Sequence, residues 1–191
     1  MTLRFTKMHG LGNDFIVIDG FLQSVPQEGS RWAPRWCHRH FGIGADGLLF
    51  VLPSKVADFR MRLFNADGSE AEMCGNGLRC LAKFVYERGY THREEFTVET
   101  PAGIMRPRLK MEGGRVVSVT VDMGEPRLAR RQIPMLGEPA EEPVVGEEVE
   151  VEGQSFRMTA VSMGNPHAVL FLPQVEGYAV EHWGPRIERH P

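Results

Sequence analysis

The sequence predicts a mixed α/β fold of the α+β type, in which mainly antiparallel strands surround one central helix. Short segments of alternating apolar and polar residues recur along the chain, separated by turns rich in glycine and proline. One longer segment, residues 78–88, instead carries apolar side chains at helical spacing. Two strand-rich parts are separated by residues 124–148, whose proline, glycine and glutamate content is typical of an irregular connection.

An N-terminal hairpin is the first predicted element. Residues 3–8 alternate as a strand, residues 9–14 form a glycine-rich turn, and residues 15–19 form an apolar return strand. The first half is also expected to contain a short helix and two further strands, at residues 32–40, 48–52 and 58–64.

The central helix is expected to begin near Gly77. Leu78, Leu81 and Val85 then lie on one face, and Gly89 provides a C-terminal stop. The strands that follow this helix are expected near residues 95–99, 103–111 and 115–122.

The second half is expected to contain a hairpin, an apolar strand and a helical segment, at residues 150–161, 168–172 and 178–189. Its beginning resembles the beginning of the first half. Met8 precedes His9, Gly10 and the turn that contains Asn13, and Met163 similarly precedes Gly164 and Asn165, which is a faint internal repeat. We therefore expect two domains, divided into residues 1–117 with Cys74 and residues 118–191.

The repeat also predicts that the second domain is incomplete. Cys74 follows Asn13 by 61 residues, and the same interval after Asn165 gives position 226, whereas the chain ends at Pro191. The last predicted segment is helical, and no strand follows it to close the second domain. We therefore expect a truncated second lobe.

Composition and charge indicate a small-molecule partner. The formal net charge is −3 and the isoelectric point is about 6.2, so neither nucleic acid nor an anionic membrane is expected to bind. No apolar run approaches the roughly 18 residues of a membrane span, and residues 1–20 lack a signal-peptide core. The three cysteines form no even-numbered disulfide framework. We expect a cytoplasmic protein in a reducing compartment.

The loop before the central helix places a thiol where cysteines become reactive. Cys74 is followed by Gly75, Asn76 and Gly77, and the helix begins there. Unpaired N–H groups and the positive end of the helix dipole favour a thiolate and offer a carboxylate a binding site. The alternative interpretation is a buried structural cysteine in a tight turn.

The asparagines are distributed unusually. The chain contains four, Asn13, Asn65, Asn76 and Asn165, and each lies in a turn marked by glycine or proline. One interpretation is that asparagine tolerates the left-handed geometry of turns. The other is that these amides form hydrogen bonds to a polar ligand.

Other motifs in the sequence do not fit the chemistry that their spacing suggests. The glycines at 42, 44 and 47 match a dinucleotide fingerprint, but a strand follows them where the fingerprint requires a helix. Cys74 and Arg79 are separated by four residues, whereas the phosphate loop of cysteine phosphatases needs five. The cysteines and histidines lack the paired spacing of zinc ligands, so we expect no metal.

Five motifs, in order along nearly the whole chain, closely resemble those of the diaminopimelate epimerase family. They read HGLGNDF, GIGADG, FNADGSE, MCGNGLRC and MGNPH, at residues 9–15, 42–47, 64–70, 73–80 and 163–167. Proline racemases and phenazine-biosynthesis isomerases share the family's fold. The former resemble this chain less in the cysteine loop, and the latter lack the catalytic thiols.

The resemblance implies two pseudo-symmetric β-rich half-barrel lobes, each around a central helix, with the substrate between them. It implies that Cys74 is one of two acid/base thiols that interconvert LL- and meso-diaminopimelate in lysine and cell-wall precursor biosynthesis. The implied α-carboxylate site is Gly75 with Asn76, and His167 is implied to tune the acidity of a catalytic thiol. The amides implied to orient the amino and distal groups are those of Asn13, Asn65 and Asn165.

The resemblance further implies a homodimer that uses neither pyridoxal phosphate nor a metal. Gly47 departs from the family pattern, since some relatives carry glutamine there, and so does the missing C-terminal segment with the second thiol. A chain limited to these 191 residues is expected to be inactive by itself. Two alternatives remain: a redox or regulatory thiol protein that pairs Cys74 with Cys37 or Cys80, and a non-catalytic ligand-binding domain.

Overall fold

The computed structural model describes residues 3–133 and 135–190. The chain forms two compact units, Met1–Asp122 and Met123–Pro191. The division lies five residues beyond the expected one after residue 117. Position 117 lies inside a strand, Arg115–Thr120, that pairs with the strand before it.

In the first unit, the described residues contain one mixed sheet of seven strands. These are β1 (Phe5–Gly10), β2 (Asn13–Asp19), β3 (Gly47–Leu52), β4 (Phe59–Asn65), β5 (Glu70–Ala71), β6 (Val98–Thr100) and β7 (Gly103–Met105). The order is β1-β2-β3-β4-β6-β7, and β5 pairs with β4. The pairs β2–β3 and β4–β6 are parallel and the other pairs are antiparallel, so the expected mainly antiparallel arrangement is confirmed.

Helices α1 (Gly29–Trp36) and α2 (Gly75–Glu87) cover opposite faces of this sheet. Successive residues of a strand point to opposite faces. Phe15, Val17 and Leu49 accordingly pack in the cluster that contains α2, whereas their neighbours Ile16 and Leu48 pack in the cluster that contains α1. Burial on both faces explains why β2 and β3 are almost uninterrupted apolar runs.

The predicted central helix is confirmed, but it begins at Gly75 rather than near Gly77, because Cys74 caps it. The helix predicted at 32–40 ends earlier, at Trp36, whose carbonyl accepts hydrogen bonds from the backbone of Ile43 and Gly44.

The strand expected at 103–111 is divided into β7 and β8 (Arg108–Glu112). Pro107 precedes β8 and has no N–H to donate to a strand ladder. Strand β8 forms a separate hairpin with β9 (Arg115–Thr120).

The second unit contains strands β10 (Glu147–Val151), β11 (Gln154–Ser162) and β12 (Pro166–Leu170), which form an antiparallel sheet. The hairpin between β10 and β11 turns at Glu152 and Gly153, both of which have positive φ. A helix, α3 (Val180–Glu188), follows, and none of its residues is buried. The predicted α+β class is confirmed.

None of the helices in the described part of the chain is long and apolar enough to cross a membrane.

Replacing the buried Leu81 tests how much the packing of α2 contributes to stability. Leu81 is fully buried and lies in the cluster between α2 and the sheet. We expect Leu81→Ala to lower the free energy of unfolding by about 2–5 kcal/mol, because it leaves a cavity. Leu22→Ala makes the same chemical change at a side chain that is 73% exposed and should have little effect. Equal losses in urea unfolding would contradict this account.

Candidate functional site

Cys74 is the N-cap residue of α2. Its backbone is extended, with φ −147° and ψ 107°, and its Sγ accepts a hydrogen bond from the Gly77 N–H at 3.3 Å. The sulfur thus occupies the place that a serine or aspartate oxygen commonly takes at a helix N-terminus. A donor aimed at the sulfur stabilises the thiolate.

The first turn of α2 also provides donors for an anion. The N–H groups of Gly75 and Asn76 lie in the first turn, where no preceding helical carbonyl can accept their hydrogen bonds. These groups and the positive end of the helix dipole favour a bound carboxylate. Gly10 of β1 lies against this turn: a β-carbon there would be 3.2 Å from the Asn76 carbonyl oxygen.

The hairpin of β1 and β2 places Asn13 beside the thiol. Leu11 and Gly12 have φ of 55° and 87°, the geometry of a tight hairpin turn, and Asn13 pairs with Gly10 directly after it. The Asn13 Oδ1 lies 3.9 Å from the Cys74 Sγ and accepts a hydrogen bond from the Asn76 Nδ2 at 3.4 Å. Three of the predicted site residues therefore meet at one point.

The other two cysteines have a different setting. Cys37 is 2% exposed and Cys80 is 3% exposed. Burial raises the pKa of each of these thiols to about 11. Cys74 and Cys80 are six residues apart, about 9 Å along a helix, which is too far for a disulfide. This geometry disfavours a local redox pair.

Asn65 lies at the same end of the sheet as Asn13. The register sets Phe15 opposite Gly47, and Gly47 opposite Asn65. The Asn65 side chain is exposed and donates to the Ser69 Oγ at 2.9 Å. The structure therefore places Asn65 at the end of the sheet where β2 begins, and its role at the site stays a prediction.

Asn165 and His167 belong to the second unit. Both are exposed, and His167 lies in β12 opposite Val161. His167 lines an open cavity of about 1010 Å³ within this unit, as does the 6%-exposed Arg130. The Arg130 guanidinium pairs with Glu147, and its Nε has no partner among the described residues. The roles of Asn165 and His167 stay predictions.

A cluster of charged residues beside Asn13 was missed by the sequence analysis. Asp46 Oδ2 accepts hydrogen bonds from the Asn13 Nδ2 at 3.0 Å and from the Asp14 N–H at 2.9 Å. Arg39 donates to Asp14 at 2.8 Å and to Asp46 at 2.7 Å. Lys7 lies 2.7 Å from the other oxygen of Asp14. The adjacent acidic and amide residues of the HGLGNDF and GIGADG motifs were the available signal.

These cations hold Asp14 in its charged form. The hydrogen bond from Arg39 is the main cause that keeps the pKa of the Asp14 carboxyl well below its usual range, and Lys7 and Asp46 add to it against the opposing effect of burial. The same carboxylates raise the pKa of the exposed Arg39 guanidinium.

The GIGADG loop leads into strand β3, not into a helix, so it lacks the geometry of a dinucleotide site. Within residues 3–133 and 135–190, no three acidic, histidine or cysteine side chains are grouped as metal ligands would be.

Solved structures of racemases and epimerases have the same fold. A probable proline racemase from Agrobacterium radiobacter K84 aligns with 94% of this chain and 55% of its own, with a TM-score of 0.67 and 16% identity. A hydroxyproline epimerase from Agrobacterium vitis aligns with 88% of this chain and 51% of its own, with a TM-score of 0.63 and 16% identity. The fold is thus one used by isomerases that act on amino acids.

The family follows from sequence. The family model described as "Diaminopimelate epimerase" matches residues 5–129. A diaminopimelate epimerase from Moorella thermoacetica is 56% identical over 99% of this chain, and one from Pelotomaculum thermopropionicum is 54% identical over 99%. The chain belongs to the diaminopimelate epimerase family of isomerases. It spans 67% of the length of each of these two relatives.

Thiol mapping tests the distinction between the three cysteines. At pH 7, brief alkylation followed by mass spectrometry should label Cys74 first, because it is only partly buried and caps a helix N-terminus. Cys37 and Cys80 should stay largely unlabelled, because both are buried and burial raises the pKa of their thiols to about 11. Faster labelling of either buried cysteine at pH 7 would contradict the assignment.

Acid unfolding tests the charge cluster. A carboxylate whose pKa is lowered by folding stabilises the folded state fully above its unfolded pKa, near 3.8 for Asp14, and loses that effect as the pH falls through the lower folded pKa. Asp14→Asn should therefore destabilise the protein at pH 7 and make its stability less sensitive to acid. Urea unfolding at pH 7 and pH 3 measures this.

Glu112→Gln is the control, since Glu112 pairs with Lys110 on an exposed hairpin. Identical acid sensitivity of the wild type and Asp14→Asn would remove Asp14 from this role.

Proposed function

We propose that the protein is a cofactor-independent amino-acid epimerase that interconverts LL- and meso-diaminopimelate, with Cys74 as one of two acid/base thiols. The observation that carries the proposal is the partly exposed Cys74 sulfur at the N-terminus of α2, in contact with Asn13 and Gly77. The name of the relatives in the family supports the choice of substrate.

The chemistry explains the need for thiols. Inversion of a stereocentre removes the α-proton from one face of the carbon and returns a proton to the other face. A thiolate is a weakly hydrated base, and an ionisation near working pH lets each sulfur act as base in one direction and acid in the other.

The negative charge that develops on the substrate must also be stabilised. The α-proton of an amino acid is very weakly acidic, so the transition state resembles a carbanion conjugated with the carboxylate. We assign the carboxylate to the N–H groups of Gly75 and Asn76, where the helix dipole favours it. Asn13, Asn65 and Asn165 would orient the amino and distal groups, and His167 would tune the acidity of a catalytic thiol.

The second thiol needs an accessible sulfur. Cys37 and Cys80 do not meet this requirement, because both are buried and their pKa values are raised to about 11. We therefore propose that the second thiol lies outside residues 1–191, near the position 226 that the internal repeat indicates.

The remaining proposals follow from the same assignment. The protein would serve lysine and cell-wall precursor biosynthesis in the cytoplasm as a homodimer. It would use neither pyridoxal phosphate nor a metal, because the thiols and the helix N-terminus supply the acid, the base and the charge stabilisation.

Replacing Cys74 tests the mechanism. The chain is joined to the remaining third of the Moorella thermoacetica relative and assayed with LL-diaminopimelate in deuterated water. Cys74→Ala should lower the rate of inversion by a factor of at least about 10² to 10⁴, because one proton-transfer group is lost. Chiral chromatography measures inversion, and mass spectrometry measures deuterium at the α-carbon.

The matched control is Cys80→Ala, which removes a buried thiol from the same helix and should leave most of the activity. Near-normal inversion by Cys74→Ala would exclude the thiol mechanism, whereas equal losses in both variants would point to disruption of α2 rather than to chemistry.

A further inference from the structure

We infer that Asp46 is a positioning residue that fixes the orientation of the Asn13 carboxamide, so that its oxygen rather than its nitrogen faces the Cys74 sulfur. The inference deepens the proposed function and rests on it only for its consequence in proton transfer. The geometry concerns the thiol itself and can be tested without an activity assay.

The contacts of Asp46 identify the Asn13 side-chain atom that faces it. The Asp46 Oδ2 lies 3.0 Å from the terminal Asn13 side-chain atom and accepts the Asp14 N–H at 2.9 Å. An ionised carboxylate can only accept hydrogen bonds, so the carboxamide must turn its NH₂ group toward it. The oxygen of Asn13 then has to point the other way.

Asp46 is itself held in place by Arg39 and Asp14. Its Oδ1 accepts a hydrogen bond from Arg39 at 2.7 Å, so both oxygens are occupied. Its N–H donates to the Asp14 carbonyl at 2.9 Å, which ties the loop to the start of β2. Arg39 also binds Asp14 at 2.8 Å, so one guanidinium compensates two adjacent carboxylates.

The Cys74 sulfur lies between a hydrogen-bond acceptor and a hydrogen-bond donor. The Asn13 Oδ1 accepts from the thiol at 3.9 Å and from the Asn76 Nδ2 at 3.4 Å. An acceptor beside sulfur favours the protonated thiol, whereas the Gly77 N–H at 3.3 Å favours the thiolate. The orientation of Asn13 therefore decides whether the sulfur faces an acceptor or a second donor.

A reversed carboxamide would change two contacts at once. It would present a donor to the sulfur, adding to the donor from Gly77 and favouring the thiolate. It would also make the NH₂ groups of Asn13 and Asn76 face each other, so that two donors would meet without an acceptor. Asp46 prevents this arrangement, although the two residues are 33 positions apart.

The test is the alkylation rate of Cys74 in Asp46→Asn, measured by mass spectrometry from pH 5 to 9. An asparagine at 46 can turn either its oxygen or its NH₂ group toward Asn13, so the Asn13 carboxamide loses its fixed orientation and alkylation of Cys74 should become faster. A change in one hydrogen bond of ordinary strength corresponds to a roughly three- to tenfold faster alkylation at pH 7.

Loss of a negative charge would by itself also favour the thiolate, so a charge control is needed. Glu72→Gln removes one carboxylate two residues before Cys74, where the side chain is exposed, and should change the rate much less. A double-mutant cycle then separates the two causes. In Asn13→Ala, adding Asp46→Asn should have no more effect than adding Glu72→Gln.

Two outcomes would overturn the inference: an Asp46→Asn rate equal to that of Glu72→Gln, or an undiminished Asp46→Asn effect in Asn13→Ala. If neither outcome occurs but the unsubstituted protein shows no epimerase activity, the result would count against the proposed function alone.

A measurement on the unmodified protein avoids any folding defect in the variants. The Asn13 NH₂ and the Asp14 N–H approach the same oxygen of Asp46. A nuclear Overhauser contact between these hydrogens is therefore expected at neutral pH. Its absence, with both signals assigned, would show that the carboxamide is not held in this orientation.

Discussion

The parallel pairing of β2 and β3 is the interaction on which the surroundings of the thiol depend. The pair is buried on both faces, and its register brings Asp14 beside Asp46 at the edge where both strands begin. Two adjacent carboxylates repel each other, so this edge requires the cations Arg39 and Lys7. One of these ion pairs, between Arg39 and Asp46, also holds the carboxylate that accepts a hydrogen bond from the Asn13 side chain.

The three cysteines have different surroundings because they lie at different positions in the fold. Cys37 and Cys80 lie in the clusters on the two faces of the sheet, where burial keeps their thiols protonated. Cys74 lies beside Asn13, the first residue of β2, where α2 begins and the Gly77 N–H donates to the sulfur. The fold thus supplies the Cys74 sulfur with both a hydrogen-bond donor and an acceptor.

Local patterns predicted much of the first unit. The period of Leu78, Leu81 and Val85 located α2, and the glycine-rich turn before Asn13 located the hairpin. The charge cluster was missed because it depends on a parallel register between segments about 32 residues apart, which no local pattern encodes. The division of the strand at Pro107 could have been predicted from the sequence, because proline has no N–H to donate to a neighbouring strand.

The contacts of Cys74 differ widely in sequence separation. Its partner Gly77 is three residues away, whereas Asn13 is 61 residues away. The first contact can form with the helix alone, but the second requires the hairpin, β3 and the loop between them to be in place. Completion of the sheet thus places an acceptor beside a sulfur to which the helix alone already supplies a donor.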